Sequence, residues 1–117
     1  MKIYIHLLVI TLLSACASPA QMRQENPFLH LKSTKSSKDV AICVSSKWEN
    51  LGILRTAVPV NMRLTENGYT LTVFNTAISQ TDYLLDIVNV GNGSESKYYK
   101  RINALGEPFD NAVKNCQ

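Results

Sequence analysis

Three cysteines carry the most reactive side chains of this sequence, and their positions suggest two kinds of chemistry. Cys16 follows an apolar run and the small residues Ser14 and Ala15. A thiol is nucleophilic enough to be alkylated to a thioether, and small residues before it let a peptidase close on the backbone. The other two, Cys43 and Cys116, form an even pair in the rest of the chain, which favours a disulfide.

The residues before Cys16 are typical of a segment that is removed after export. Lys2 supplies one positive charge, and an apolar run interrupted by one histidine and one threonine follows over residues 3–13. The run is shorter than the roughly twenty residues that a helix needs to cross a bilayer, and it fits the apolar region of a signal peptide. We therefore predict a signal peptide over residues 1–15.

The stretch Leu13-Ser14-Ala15-Cys16 resembles the lipobox of bacterial lipoprotein precursors. The resemblance implies that the Cys16 sulfur receives a diacylglyceryl group, that the signal peptide is cleaved, and that the new amino group is acylated. Three acyl chains exceed the two-signal requirement for stable membrane anchoring. Because Ala17 rather than Asp follows the cysteine, the resemblance further implies the periplasmic face of an outer membrane, with inner-membrane or Gram-positive surface anchoring left open. The alternative is an ordinary secretory signal in which Cys16 is incidental.

If Cys16 is lipidated, Cys43 and Cys116 remain in an oxidising compartment, where disulfides persist. We predict that they are joined, with two free structural thiols as the alternative. A metal site is a weaker hypothesis, because two distant cysteines without supporting histidines make a poor ligand set. The sequence predicts no metal and no cofactor.

Few other residues suggest catalysis. His6 lies in the predicted signal peptide and His30 in a polar segment, so the predicted domain lacks the commonest general base. Ser94-Glu95-Ser96-Lys97 has the S-x-x-K spacing of serine acyl enzymes, but it lies beside a predicted hairpin turn rather than at a helix start. Gly91-Asn92-Gly93 precedes a predicted strand rather than the helix that a phosphate loop requires. A turn is the better interpretation of both.

Carboxylates are the remaining candidates for acid or base chemistry. Asp86 lies between two apolar residues of a predicted strand, where burial would raise the pKa of its carboxyl. A cross-strand ion pair or hydrogen bond is the alternative, with Lys97 and Arg101 as neighbours. Glu107 and Asp110 flank the start of a predicted helix, where capping accounts for them.

Two helices and two hairpins are predicted to position these residues. Apolar residues recur at helical spacing from Val40 to Leu51 with Cys43 beside them, and a second helix starts at Pro108 and carries Cys116 on its apolar face. Between the helices, the segments 58–65 and 69–75 alternate around Glu66-Asn67-Gly68, a type I′ turn signal that would pair Leu64 with Leu71. The segments 83–90 and 95–102 alternate around Gly91-Asn92-Gly93-Ser94 and would pair Ile87 with Tyr98. The predicted fold class is α+β: a four-stranded antiparallel sheet of two hairpins, flanked by an N-terminal and a C-terminal helix that a disulfide joins.

Composition divides the chain into three parts. After the signal peptide, residues 16–38 are rich in Ser, Gln, Asn and Lys and are predicted to hold the lipidated Cys16 and a flexible tether. Within them, the less polar residues 26–31 are predicted to dock on the domain or stay disordered, with binding of a partner as an extended segment as the alternative. Residues 39–117 form the predicted α+β domain. Loss of Lys2 with the signal leaves eleven basic against nine acidic residues, a balance too weak to suggest nucleic acid.

One face of the predicted sheet suggests a function. With both helices on the other face, this face retains Leu84, Val88 and Tyr99, bordered by Arg101, Lys97 and Arg63. Apolar and aromatic residues with arginine are typical of protein-recognition surfaces, whereas the alternative is that the tether or residues 76–81 cover the face. The sequence therefore predicts a lipid-anchored, periplasm-facing, non-catalytic binding or accessory domain whose partner is an envelope protein. The alternative function is a small envelope hydrolase that uses carboxylates only.

Overall fold

A computed structural model describes residues 18–52, 57–101 and 106–117. The predicted signal peptide, the predicted lipidation site Cys16 and the predicted strand end at Ile102 lie outside these residues. The described elements follow the order α1 (Pro19–Met22), β1 (Leu29–Ser33), α2 (Ser37–Glu49), β2 (Val60–Thr65), β3 (Gly68–Asn75), β4 (Gln80–Val90), β5 (Gly93–Lys100) and α3 (Glu107–Asn115). None of the described helices has the length and hydropathy required to cross a membrane.

The strands form one antiparallel sheet in the order β1-β5-β4-β3-β2. The predicted α+β class is therefore confirmed, but the predicted number of four strands is wrong because the sheet has five. The additional strand β1 pairs with β5, with Leu29 opposite Tyr98 and Leu31 opposite Ser96. It lies within the range that the sequence assigned to a tether, so the predicted domain start at residue 39 is too late.

Helices α2 and α3 pack on one face of the sheet, here called the core face. The α2 residues Val40, Val44 and Trp48 are fully buried, as their helical spacing predicts. Ser36 caps this helix by accepting a hydrogen bond from the Asp39 amide. The core also contains Leu71, Val73, Tyr83, Leu85, Ile87, Tyr98, Ala112 and Val113.

The predicted disulfide between Cys43 and Cys116 is confirmed, with the two Cα atoms 5.7 Å apart. It joins α2 to α3, and Cys116 is fully buried. The Trp48 indole crosses between the same two helices, because its Nε1 donates a hydrogen bond to the Phe109 carbonyl oxygen at 3.2 Å. The N-terminal and C-terminal parts of the domain are therefore held together on the core face.

Both predicted hairpins are present, each with its register shifted by two residues. Leu64 pairs with Tyr69 rather than with Leu71, and Ile87 pairs with Ser96 rather than with Tyr98. Each connecting loop is two residues long, which is shorter than predicted. Since side chains alternate with a period of two, a shift of two residues leaves every side chain on its predicted face.

Two glycines have distinct physical roles at the hairpins. Gly68 was predicted to serve a type I′ turn, but its φ is not positive and no positive φ occurs at Asn67. Gly68 is instead required by packing, since a Cβ there would lie 1.9 Å from the Ile87 carbonyl oxygen. Gly91 does adopt a positive φ, 58°, in the turn between β4 and β5.

The opposite face of the sheet, here called the outer face, carries the short helix α1. Ser18 caps this helix, and Met22 packs on Leu84 and Tyr99. The Phe28 amide then donates a hydrogen bond to the Tyr98 carbonyl oxygen at 2.7 Å, which leads the chain into β1. The prediction of a flexible tether is therefore wrong for residues 18–38, because much of this segment packs against the sheet.

Candidate functional site

An open groove of about 620 Å³ lies on the outer face of the sheet, beside α1. Helix α1 covers Leu84 and most of Tyr99, and the groove lies next to it with Tyr99 at its border. Charged and hydroxyl side chains dominate its lining, together with one exposed valine: Arg23, Arg63, Thr70, Asp86, Lys97 and Val88.

The groove is built on a single row of residues that crosses the whole sheet. Each strand contributes one residue, and antiparallel pairing places them side by side in the order Arg63, Thr70, Asp86, Lys97 and His30. Because residues in register on neighbouring strands project from the same face, this row brings charges from distant parts of the sequence together. The next row contributes Val88 of β4 and Glu95 of β5 to the lining.

Asp86 at the centre of the row is an ion-paired carboxylate. Arg23 reaches it from α1 with two nitrogens, Nε to Oδ2 at 2.7 Å and Nη2 to Oδ1 at 2.8 Å, and the Thr70 hydroxyl donates to Oδ1 at 2.7 Å. Burial acts to raise the pKa of Asp86, but the hydrogen bonds from Arg23 and Thr70, with the charges of Arg23 and Lys97, lower it overall. The predicted raised pKa is therefore wrong. The alternative of a cross-strand hydrogen bond is correct, with Thr70 as the donor, but the ion-pair partner is Arg23 rather than a neighbouring residue of β5.

Glu95 and His30 form a hydrogen-bonded pair at the side of the groove. The hydrogen bond with His30 is the main reason that the pKa of Glu95 lies below its ordinary value, with smaller contributions from the charges of His30, Lys32 and Lys97. His30 lies in β1, so the prediction that the domain has no histidine is wrong. Both carboxylates that line the groove are therefore held as anions by neighbouring cations or donors.

Two cations of the groove lack such a partner. Among the described residues, neither Arg63 nor Lys97 forms a salt bridge or hydrogen bond through its side chain, and both side chains are exposed. They lie on either side of the Thr70 and Asp86 positions, on β2 and β5. The groove can consequently offer two charged donors to an anionic ligand.

The four residues of the predicted partner surface have different environments. Leu84 is fully buried and Tyr99 is nearly so, both under Met22, which matches the alternative that the N-terminal segment covers this face. Arg101 pairs with Asp82 rather than lining the groove. Only Val88 of the four is exposed, at 39%, and it lies in the groove.

The other candidate motifs have structural roles. Ser94 and Ser96 of the S-x-x-K stretch lie on the buried side of β5, while Lys97 points to the groove. Gly91 and Asn92 form the β4–β5 turn, as predicted. Asp110 was predicted to cap α3, but it is buried and pairs with Lys100.

Sequence reasoning missed Arg23 and Thr70, which line the groove, and His30, which bonds to Glu95 at its side. Arg23 and His30 lie in a polar segment without helical or strand periodicity over a useful length. The only available signal was the short alternation of Leu29 and Leu31 with His30 and Lys32, which is typical of a strand but too brief to be decisive. Arg63 and Lys97 were predicted to border this face, and they do line the groove.

Within residues 18–52, 57–101 and 106–117, no three His, Cys, Asp or Glu side chains are grouped as metal ligands would be. Comparisons of the chain with protein-family models, with curated proteins and with solved structures gave no match. The groove and the exposed parts of the sheet are therefore the features from which a function is inferred.

The lowered pKa of Asp86 predicts a defined pH dependence of stability. Because the folded-state pKa lies below the ordinary 3.8, the carboxylate stabilises the fold above that pH, and its contribution disappears as pH falls through the folded-state pKa. Asp86→Asn should lower the free energy of unfolding by about 1 kcal/mol at neutral pH. The difference from the parent should vanish well below pH 3.8, as measured by urea unfolding at both pH values.

Glu66→Gln is the matched control for this prediction. Glu66 is exposed in the β2–β3 turn and forms no side-chain hydrogen bond with the described residues. Its replacement should leave stability nearly unchanged at both pH values. If Asp86→Asn lowers the free energy of unfolding by the same amount in acid as at neutral pH, the shape of the Asp86 side chain, and not its charge, stabilises the fold.

Proposed function

We propose that this protein is a lipid-anchored, non-catalytic binding domain that contacts an envelope protein at the periplasmic face of the outer membrane. The lipobox-like stretch ending at Cys16 supports the anchor. The disulfide between Cys43 and Cys116 supports export, since disulfides persist in oxidising compartments. The observation that carries the binding role is the exposed edge strand β2.

The β2 edge differs from the opposite edge of the sheet. Leu64 of β2 is 71% exposed, which makes it the most exposed large apolar side chain of the described residues, and Met62 on the same strand face is also exposed. In the described part of the chain, no further strand pairs with the outer edge of β2. The other edge, β1, carries Lys32 and is shorter, features that protect sheet edges from added strands.

An extended segment of a partner is therefore the best candidate for the β2 edge. Main-chain hydrogen bonds along the free edge supply affinity, and alternating side chains supply specificity. Apolar residues of the added strand would meet Met62 and Leu64 on one face, while an acidic residue on the other face would meet Arg63. This strand replaces the predicted Leu84 and Tyr99 surface as the proposed contact region.

The hydrolase alternative has less support. A hydrolase that uses carboxylates only needs one of them protonated to act as a general acid. In the groove, the pKa values of both Asp86 and Glu95 are lowered, which favours two anions at neutral pH. We therefore prefer the binding function.

Photocrosslinking in intact cells, combined with lipid labelling, tests the proposal. Full-length chain carrying a photoreactive amino acid at Leu64 is expressed in cells supplied with radioactive palmitate. We expect one crosslinked species of defined mass that carries the label, since the anchor and the β2 contact belong to the same molecule. Mass spectrometry of this species should identify an envelope protein, with the crosslink in an extended segment.

Three variants provide the controls. The photoreactive residue at Lys47, which is exposed on α2, should give no such species, and Met62→Asp with the probe at Leu64 should abolish it by charging the strand face. Cys16→Ala should remove the palmitate. Crosslinking that is equal at both probe positions would contradict the β2 contact, whereas an unlabelled parent chain would contradict the anchor.

A further inference from the structure

We propose that the groove on the outer face is a phosphate-binding site, and that it takes the phosphate headgroup of an anionic phospholipid in the membrane to which the chain is anchored. The ligand class follows from the groove itself. The assignment of the phosphate to a phospholipid rests on the proposed lipid anchor, because the anchor would place this face next to a membrane.

The charges of the groove favour an oxyanion. Arg63 and Lys97 approach it from opposite strands with no carboxylate partner among the described residues. Arginine offers several N–H donors in a planar fork that matches phosphate oxygens, and lysine adds a point charge. Since Arg63 and Lys97 lie on either side of the Thr70 and Asp86 positions, an anionic group in the middle of the groove lies between the two cations.

The carboxylate at the centre does not repel such a ligand strongly. Both oxygens of Asp86 already accept hydrogen bonds, one from Arg23 Nε and the other from Arg23 Nη2 and the Thr70 hydroxyl. Arg23 therefore compensates the charge of Asp86, which leaves Arg63 and Lys97 as the cations available to a ligand. The Glu95 carboxylate likewise forms a hydrogen bond with His30.

The shape of the groove permits a headgroup to enter. Its volume of about 620 Å³ exceeds that needed for a phosphate alone. Val88 supplies an exposed apolar surface at its side. A phosphate with attached glycerol carbons matches this combination of cations and one apolar wall.

The groove lies on the same face as the start of the described chain. Pro19 of α1 lines a small depression together with Asn61 and Arg63, next to Thr70. Cys16 precedes Ser18 by two residues, and two extended residues span at most about 7 Å. A lipid on Cys16 would therefore keep Ser18 and the start of α1, which lies on the outer face beside the groove, close to the headgroup layer.

Amide NMR on the full-length chain tests the site with inorganic phosphate as the probe. In neutral detergent, phosphate should shift the resonances of Thr70, Val88 and Lys97 with saturation. Arg63→Gln should raise the dissociation constant about tenfold, as expected for the loss of one hydrogen bond to a charged group. Lys97→Gln should act in the same direction.

The double variant Lys38→Gln with Lys114→Gln is the matched control for Arg63→Gln with Lys97→Gln. Both pairs remove two exposed positive charges, but Lys38 and Lys114 lie on α2 and α3, on the other side of the sheet. The control should bind phosphate like the parent. Equal weakening in both double variants would show that only net charge matters and would overturn the site.

Bilayer nanodiscs identify the source of the phosphate. The full-length chain in discs containing phosphatidylglycerol should show the groove shifts without added phosphate, and discs of phosphatidylcholine alone should not. If the resonances of the groove residues shift only when free phosphate is added, in both kinds of disc, the phospholipid headgroup is not the ligand. A soluble phosphate compound would then be the ligand. The intact mass of the same sample reports acylation of Cys16, so failure of the anchor is distinguished from failure of the groove.

Discussion

Replacing both Cys43 and Cys116 with serine should lower the free energy of unfolding by about 4 kcal/mol, the loss expected in the chain-entropy model for a bridge that closes a loop of this length. The two cysteines are 73 residues apart, so the bridge closes most of the folded chain into one loop. For a domain of this size, such a loss should lower the melting temperature by roughly 20 °C. Calorimetry of the parent and the double variant at neutral pH measures it.

Chemical reduction provides the control for this experiment. The reduced parent retains both sulfur atoms, so it separates loss of the bridge from the packing change at Cys116, which is fully buried. Reduced parent and double serine variant should be destabilised to a similar extent. A loss of about 0.5 kcal/mol or less, the scale of an ordinary surface substitution, would contradict a bridge that stabilises the domain.

The disulfide and the helix pair were predictable because their signals are local. The stripe of Val40, Val44 and Trp48 repeats at the helical period, and Pro108 indicates the start of α3. Once both helices are assigned, Cys43 and Cys116 fall on their apolar faces and can meet. The structure adds the reason that the helices are adjacent: both cover the same face of one sheet.

The sheet was predictable in its faces but not in its register. Alternation identifies which side chains share a face, and the assignment of Leu71, Ile87 and Tyr98 to the core face is correct. The loop length decides the register, and both loops are two residues long. A sequence rich in Gly and Asn around a turn does not distinguish two loop residues from four.

For the N-terminal segment, the sequence could not distinguish docking of residues 26–31 from disorder, because the stability of this segment arises from distant contacts. Leu29 and Leu31 form a strand only because β5 supplies the hydrogen-bond partners more than sixty residues later. Arg23 likewise acquires its role through Asp86, 63 residues away. The groove depends on both contacts. Composition alone therefore predicts a tether for a segment that, in the structure, contributes Arg23 to the candidate site.

A buried ion pair between β5 and α3 gives the second large effect. Lys100 Nζ lies 2.8 Å from Asp110 Oδ2, and their side chains are only 6% and 9% exposed. The Lys100 ammonium also lies 3.7 Å from the centre of the Phe28 ring, an additional cation–π contact. Two charges removed from water in this way depend on each other, because either one alone would be buried without compensation.

Asp110→Ala should therefore lower the free energy of unfolding by about 3–5 kcal/mol, since it leaves the Lys100 charge buried without its partner. Lys100→Met should lower the free energy of unfolding by a similar amount, because it leaves the Asp110 carboxylate buried without its partner. The double variant should be far less destabilised than the sum of the two single variants, since replacing a whole buried pair by apolar groups removes both desolvation penalties. Urea unfolding of the four proteins gives the coupling energy directly.

Arg101 and Asp82 provide a comparison within the same protein. This pair is more exposed, with side chains 23% and 13% accessible, so solvent screens it better and its coupling should be smaller. Additive losses at Lys100 and Asp110 would show that the two charges do not compensate each other. A large coupling energy for Lys100 and Asp110 together with a small one for Arg101 and Asp82 would instead establish that burial makes the Lys100–Asp110 contact critical. This result would also explain why the short helix α3 is held firmly against β5, the strand whose other face contributes to the groove.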